Sequence, residues 1–79
     1  MKQNYTHKQG QYLVFIYYYI KLNRRAPAQA DFQRYFGVTP PTVHQMLLKL
    51  EDKGFISRIP QTPRSIELLV GRDELPELD

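Results

Sequence analysis

Three stretches of this chain repeat apolar residues at helical spacing, and a later one repeats them at every second position. In the first stretch, residues 12 to 20 are apolar or aromatic throughout. Thr6, followed three residues on by Gln9, has the spacing of a capping box, which predicts a helix from there to about Asn23. The same run reads equally as a buried strand, but its length and the break after it favour helix. Leu13, Ile16 and Ile20 form the expected inward stripe, with Tyr12 and Phe15 or Tyr19 at its margins, and Val14 and Tyr18 point outward. Gly10 weakens the first turns by up to about 1 kcal/mol relative to alanine.

Pro27 forces Ala26 into an extended conformation, so a basic turn through Arg24 and Arg25 follows. Residues 28 to 36 then resume the helical period with Ala28, Phe32, Tyr35 and Phe36, and Gly37 supplies the left-handed conformation that ends the helix. Thr39 is the expected N-cap of the next helix, offering its side-chain oxygen to the free amides, with Pro40 and Pro41 in the first turn and Gly54 closing it after Lys53. Two helices on a tight turn result. In the second of them Val43, Met46, Leu47 and Leu50 form one stripe, while Pro41, Gln45, Leu48 and Asp52 face away with Thr42, His44 and Lys49 on the flanks.

After Gly54 the period changes. Phe55, Ser57 and Ile59 alternate with Ile56 and Arg58, a proline-rich basic loop interrupts from Pro60 to Arg64, and residues 65 to 70 resume. Two strands with prolines at both shoulders make a β-hairpin whose tip projects from the body and carries Arg64. Residues 73 to 79 have turn residues and acids without a period, and read as a flexible acidic tail behind a folded unit of residues 1 to 72. The fold class is α+β, mostly α: three helices followed by a two-stranded hairpin.

A chain of 79 residues makes one domain with a simple core, burying only about 60% of its unfolded surface. Without cysteine it has no disulfide, thiolate ligand or thiol nucleophile, and two separated histidines make no zinc site, so no cofactor or metal is expected. The N-terminus lacks the apolar segment of a signal peptide, and the longest apolar run is far short of a membrane span. A cytoplasmic protein is expected. Charge sharpens the picture. Residues 1 to 72 hold all eleven Lys and Arg against four acids, Asp31, Glu51, Asp52 and Glu67, whereas residues 73 to 79 hold four acids and no base. The folded part favours a polyanionic partner.

Helix, helix, turn, helix, hairpin is the winged helix-turn-helix order. Residues 26 to 38 (Ala-Pro-Ala-Gln-Ala-Asp-Phe-Gln-Arg-Tyr-Phe-Gly-Val), residues 39 to 56 with their Lys-Gly-Phe-Ile exit, and Pro-Arg-Ser-Ile-Glu-Leu-Leu at 63 to 69 resemble the DNA-binding domain of LexA-type repressors. The resemblance covers about residues 6 to 70, and its middle segment is also similar to other winged regulators. It implies that Thr39, Pro41, Thr42, His44 and Gln45 open the recognition helix and face the major groove, with Arg64 in the wing beside the DNA backbone. Two positions depart from the pattern: Gln33 stands where such turns place a small alanine, and Ala28 where a serine or threonine caps the helix. LexA-type repressors also carry a second domain that cleaves the chain and usually supplies the dimer contact. A domain without that second part is expected here, and with it either a homodimer through another surface, such as Val14 and Tyr18, or a monomer.

The side chains fit duplex DNA. Gln45 suits bidentate pairing with adenine, His44 donation to a guanine or phosphate, and Thr42 a thymine methyl. Arg24, Arg25, Lys49, Arg58 and Arg64 suit the phosphate backbone. Sequence-selective binding by a transcriptional regulator is the leading expectation. Its rival is a winged helix turned protein-protein interaction module, for which outward Leu48 speaks. Catalysis is not expected: adjacent Glu51 and Asp52 diverge on a helix, and neither Ser57 nor Ser65 sits in a nucleophile turn.

Overall fold

The capping box at Thr6 forms as its spacing predicts. In a computed structural model describing residues 5–79, the Gln9 amide donates to Thr6 Oγ1 at 3.1 Å and the Thr6 amide to Gln9 Oε1 at 3.0 Å. The first four residues of the expected domain lie outside the described part. Helix α1 runs His7–Asn23 and ends on Arg24, whose left-handed backbone (φ 62°) turns its amide back to the Ile20 carbonyl. Helix α2 (Gln29–Phe36) and helix α3 (Pro40–Asp52) follow, then strands β1 (Ile56–Ser57) and β2 (Glu67–Leu68). The strands pair antiparallel, Ile56 opposite Leu68 and Ser57 opposite Glu67.

Aromatic rings fasten α1 to α2. Tyr12 stacks on Phe36 with centroids 4.3 Å apart and on Phe32 at 5.4 Å, and Phe15 leans against Phe32 at 5.1 Å and Tyr35 at 4.7 Å. Such pairs add about 0.5–1.5 kcal/mol each beyond the area they bury. Val43, Leu47 and Leu50 bring α3 onto the same core. The α3 exit is a Schellman turn: the Phe55 amide reaches the Leu50 carbonyl at 3.0 Å and the Gly54 amide the Glu51 carbonyl at 3.0 Å, with Gly54 at φ 80°. Phe55, buried beside Leu50 in the core, thereby starts the wing from a fixed point.

Two expectations about α1 are corrected together. Val14, expected to face outward, is fully buried, and Tyr18 is half-buried with its hydroxyl accepting from Arg72 Nη2 at 3.2 Å. The segment expected to hang free as a tail covers this face. After one 3-10 turn at Arg72–Glu74, Leu75 enters the core. The Glu74 carbonyl accepts from the Tyr5 hydroxyl at 2.6 Å. Gln11 holds the segment from both sides, donating to the Glu77 carbonyl at 2.9 Å and accepting from the Asp79 amide at 2.8 Å. His7, Gln11, Val14 and Tyr18 share one face of the helix, so α1 is apolar on two sides because it is covered on two sides. No helix among the described residues is long and apolar enough to cross a membrane.

Candidate nucleic-acid interface

The turn into α3 is built on Gly37. At φ 66° it directs its own amide and that of Val38 to the Gln33 carbonyl, at 2.8 and 3.3 Å. Gln33, large where an alanine is usual, is accommodated half-buried, and only its backbone carbonyl takes part in the turn bonds. Thr39 takes the extended N-cap conformation (φ −86°, ψ 160°), but its side chain does not cap the helix as expected. With prolines at the first two helical positions, two of the four free amides of the first turn do not exist, one of them a usual donor to the cap, and Thr39 Oγ1 instead meets Thr42 Oγ1 at 3.0 Å. The first backbone bond of the helix runs from the Val43 amide to the Thr39 carbonyl at 3.2 Å.

Every residue expected to read bases is exposed: Thr39, Pro41, Thr42, His44 and Gln45, with Lys49 beyond them. They divide into two flanks. Pro41, Thr42, Gln45 and Lys49 line a shallow depression on one side, whereas His44 and Leu48 line the other, across from the wing. That second side is a groove of about 640 Å3 between α3 and the hairpin, walled by His44, Leu48 and Glu51 opposite Ile59, Pro60 and Thr62. Leu48 and Ile59 stay 43% and 63% exposed there, an apolar strip beside the polar flank.

The wing is less a sheet than a clasped loop. Its ladder is two residues long on each strand, shorter than the sequence period suggested. Ser65 takes over the pairing: its hydroxyl oxygen accepts from the Ile59 amide at 2.9 Å and donates to the Ile59 carbonyl at 3.1 Å. Gln61 and Arg64 adopt left-handed backbone at φ 61° and 56°, which folds the tip back toward the body.

Two of the five cations expected on the DNA backbone are engaged by partners within the protein, although the Arg64 side chain stays 33% exposed. Arg64 turns inward instead of outward, its Nη1 donating to the Tyr19 hydroxyl at 3.1 Å, the Ala26 carbonyl at 3.1 Å and Asp31 Oδ2 at 3.3 Å. Arg58, just after β1, turns its side chain back to α3, its Nε 3.2 Å from Glu51 Oε1 and its side chain 18% exposed. Arg24, Arg25 and Lys49 remain exposed.

Asp31 is a group that the sequence pattern did not single out. Buried in the first turn of α2, its Oδ2 accepts from the Ala28 amide at 2.8 Å, which serves the helix end that Ala28 has no side chain to cap, and its Oδ1 accepts from Arg34 Nη2 at 2.6 Å. Burial pushes its pKa up, but the Ala28 amide, the Tyr19 hydroxyl and the Arg64 and Arg34 guanidiniums outweigh that and hold it below the ordinary aspartate value. An acidic residue three positions after an N-cap without a polar side chain was the available signal.

Three helices, the third with an exposed polar surface, and an antiparallel hairpin across a groove from the His44 and Leu48 side of that helix define a winged helix-turn-helix domain. Residues 2–65 match the LexA DNA binding domain, and the chain belongs to that family. It is 41% identical over 64 residues to the LexA repressor of Thermosipho africanus, 37% over 70 residues to that of Thermosipho melanesiensis and 40% over 70 residues to that of Caldicellulosiruptor saccharolyticus. These matches cover 81%, 89% and 87% of this chain in the same order, but only 32%, 35% and 35% of the relatives. The chain thus spans about a third of the length of the repressors it resembles.

Proposed function

We propose that this domain binds double-stranded DNA sequence-selectively and acts as a transcriptional regulator in the cytoplasm, in the repressing sense that its relatives' names carry. One observation carries the reading: α3 leaves its polar surface exposed while the wing stands across a groove from the His44 side of the same helix, so a single duplex can meet both. In this reading Thr39, Pro41, Thr42, His44 and Gln45 face base edges in the major groove. Lys49, Arg24 and Arg25 contact phosphates. The dimer surface expected at Val14 and Tyr18 has no part in it, because residues 72–79 cover that face. Nor does the reading require a catalytic residue.

The apolar strip of Leu48 and Ile59 favours a second reading, a protein-binding groove. A mobility-shift titration on random duplex DNA over a range of salt separates the two. DNA binding predicts measurable affinity at low salt that falls steeply as salt rises, and a protein adaptor predicts neither. Selection from a random duplex library then identifies the preferred sequence.

A further inference from the structure

Arg64 sits at the far end of the wing, yet its guanidinium is held by three acceptors from three parts of the body: Tyr19 in α1, Ala26 in the α1–α2 connection and Asp31 in α2. Arg64 is also one of the residues in which the wing backbone is left-handed, a conformation that a non-glycine residue keeps only where its surroundings hold it. At the base of the same loop Arg58 is tied to Glu51 of α3. The hairpin, with only two ladder residues on each strand, is thus fixed at its root by α3 and at its tip by α1 and α2.

We propose that Arg64 is a positioning residue rather than a phosphate contact: clamped by Tyr19, Ala26 and Asp31, it sets the wing against α3, and buried Asp31 thereby supports the binding of a polyanion. This deepens the DNA-binding reading and rests on it. The unusual consequence is one of sign. Removing an acid from a basic domain strengthens its attraction to DNA on charge alone, whereas here removing Asp31 frees the wing and weakens binding.

The test compares the whole chain with Arg64→Met, Tyr19→Phe, their double variant and Asp31→Asn, all binding one duplex across a salt series, alongside amide exchange without DNA. Expected is a loss of about tenfold for Arg64→Met with the slope of affinity against salt unchanged. A smaller loss should appear for Tyr19→Phe, the double variant being no worse than Arg64→Met. Asp31→Asn should weaken binding. The Ile59 and Thr62 amides of the wing should exchange faster in Arg64→Met, and those of α1 and α3 at wild-type rates. A slope shallower by about one, with losses that add in the double variant, would make Arg64 a phosphate contact instead. Tighter binding by Asp31→Asn, or unchanged affinity in Arg64→Met, also overturns the proposal. If Arg64→Met fails to fold, Tyr19→Phe, which removes one hydroxyl, decides the matter by the same affinity and exchange measurements. Wild-type protein that does not bind DNA at low salt defeats the DNA reading itself, a result distinct from all of these.

Discussion

Pro76 lies so close over Gly10 that a Cβ on the glycine would come within 3.0 Å of its Cγ, and within 2.8 Å of Tyr5 Cε1. Helix propensity alone makes Gly10→Ala a stabilising change of about 1 kcal/mol. The contact reverses it. We expect Gly10→Ala to lose about 1 kcal/mol in urea unfolding, because Tyr5 is anchored to the Glu74 carbonyl and cannot swing aside without giving up that bond. A more stable Gly10→Ala protein would mean that residues 74–79 do not rest on α1 in solution.

The same face predicts the cost of Leu75→Ala. Leu75 is 9% exposed and belongs to the core, so truncation should destabilise by about 2 kcal/mol, the low end for a buried leucine since the segment can settle inward. Glu77→Ala, which keeps the backbone carbonyl that holds α1 and loses only an exposed ion pair to Arg72 at 4.0 Å, should be nearly neutral. Denaturant midpoints of the two variants check both.

Asp31 gives a pH dependence of defined sign. Its folded pKa lies below that of the unfolded chain, so its contribution to stability is fully present above the ordinary aspartate value and is lost as pH falls through the folded value. Thermal midpoints of wild type and Asp31→Asn should therefore differ at neutral pH and converge as the solution is acidified. A gap that stays constant into strong acid would show that the carboxylate charge is not what holds the cluster.

Within α3, Gln45→Ala should relax preference at one base pair, by about 1–3 kcal/mol of discrimination, with the remaining positions unchanged. Lys49→Ala should weaken all sequences about equally and make the salt slope shallower by about one. Selection from a random library with each variant distinguishes the roles, and an unaltered preferred sequence for Gln45→Ala would remove Gln45 from the reading set.

Local chemistry made most of the architecture legible. Thr6 with Gln9, Gly37 and Gly54 each mark a helix end through a backbone need that neighbouring residues satisfy, and all three ends lie where those residues indicate. What stayed hidden depends on distant partners. Nothing near Val14 tells that Leu75, sixty-one positions later, joins the core over that helix. An uninterrupted apolar run does show that a helix needs covering on more than one side, and the pair Leu75-Pro76 and Leu78 were the residues left to do it. Arg58 and Arg64 were legible as cations, but their pairing inside the protein was not, since the directions of their side chains follow from the wing backbone and from Glu51 and Asp31.

Pro40 and Pro41 open α3 with φ already fixed near its helical value in the unfolded chain. The leading edge of that helix is thus rigid before any partner arrives, and docking there spends little entropy on ordering it. Such a tip selects a surface that already fits and does not mould itself to one that does not.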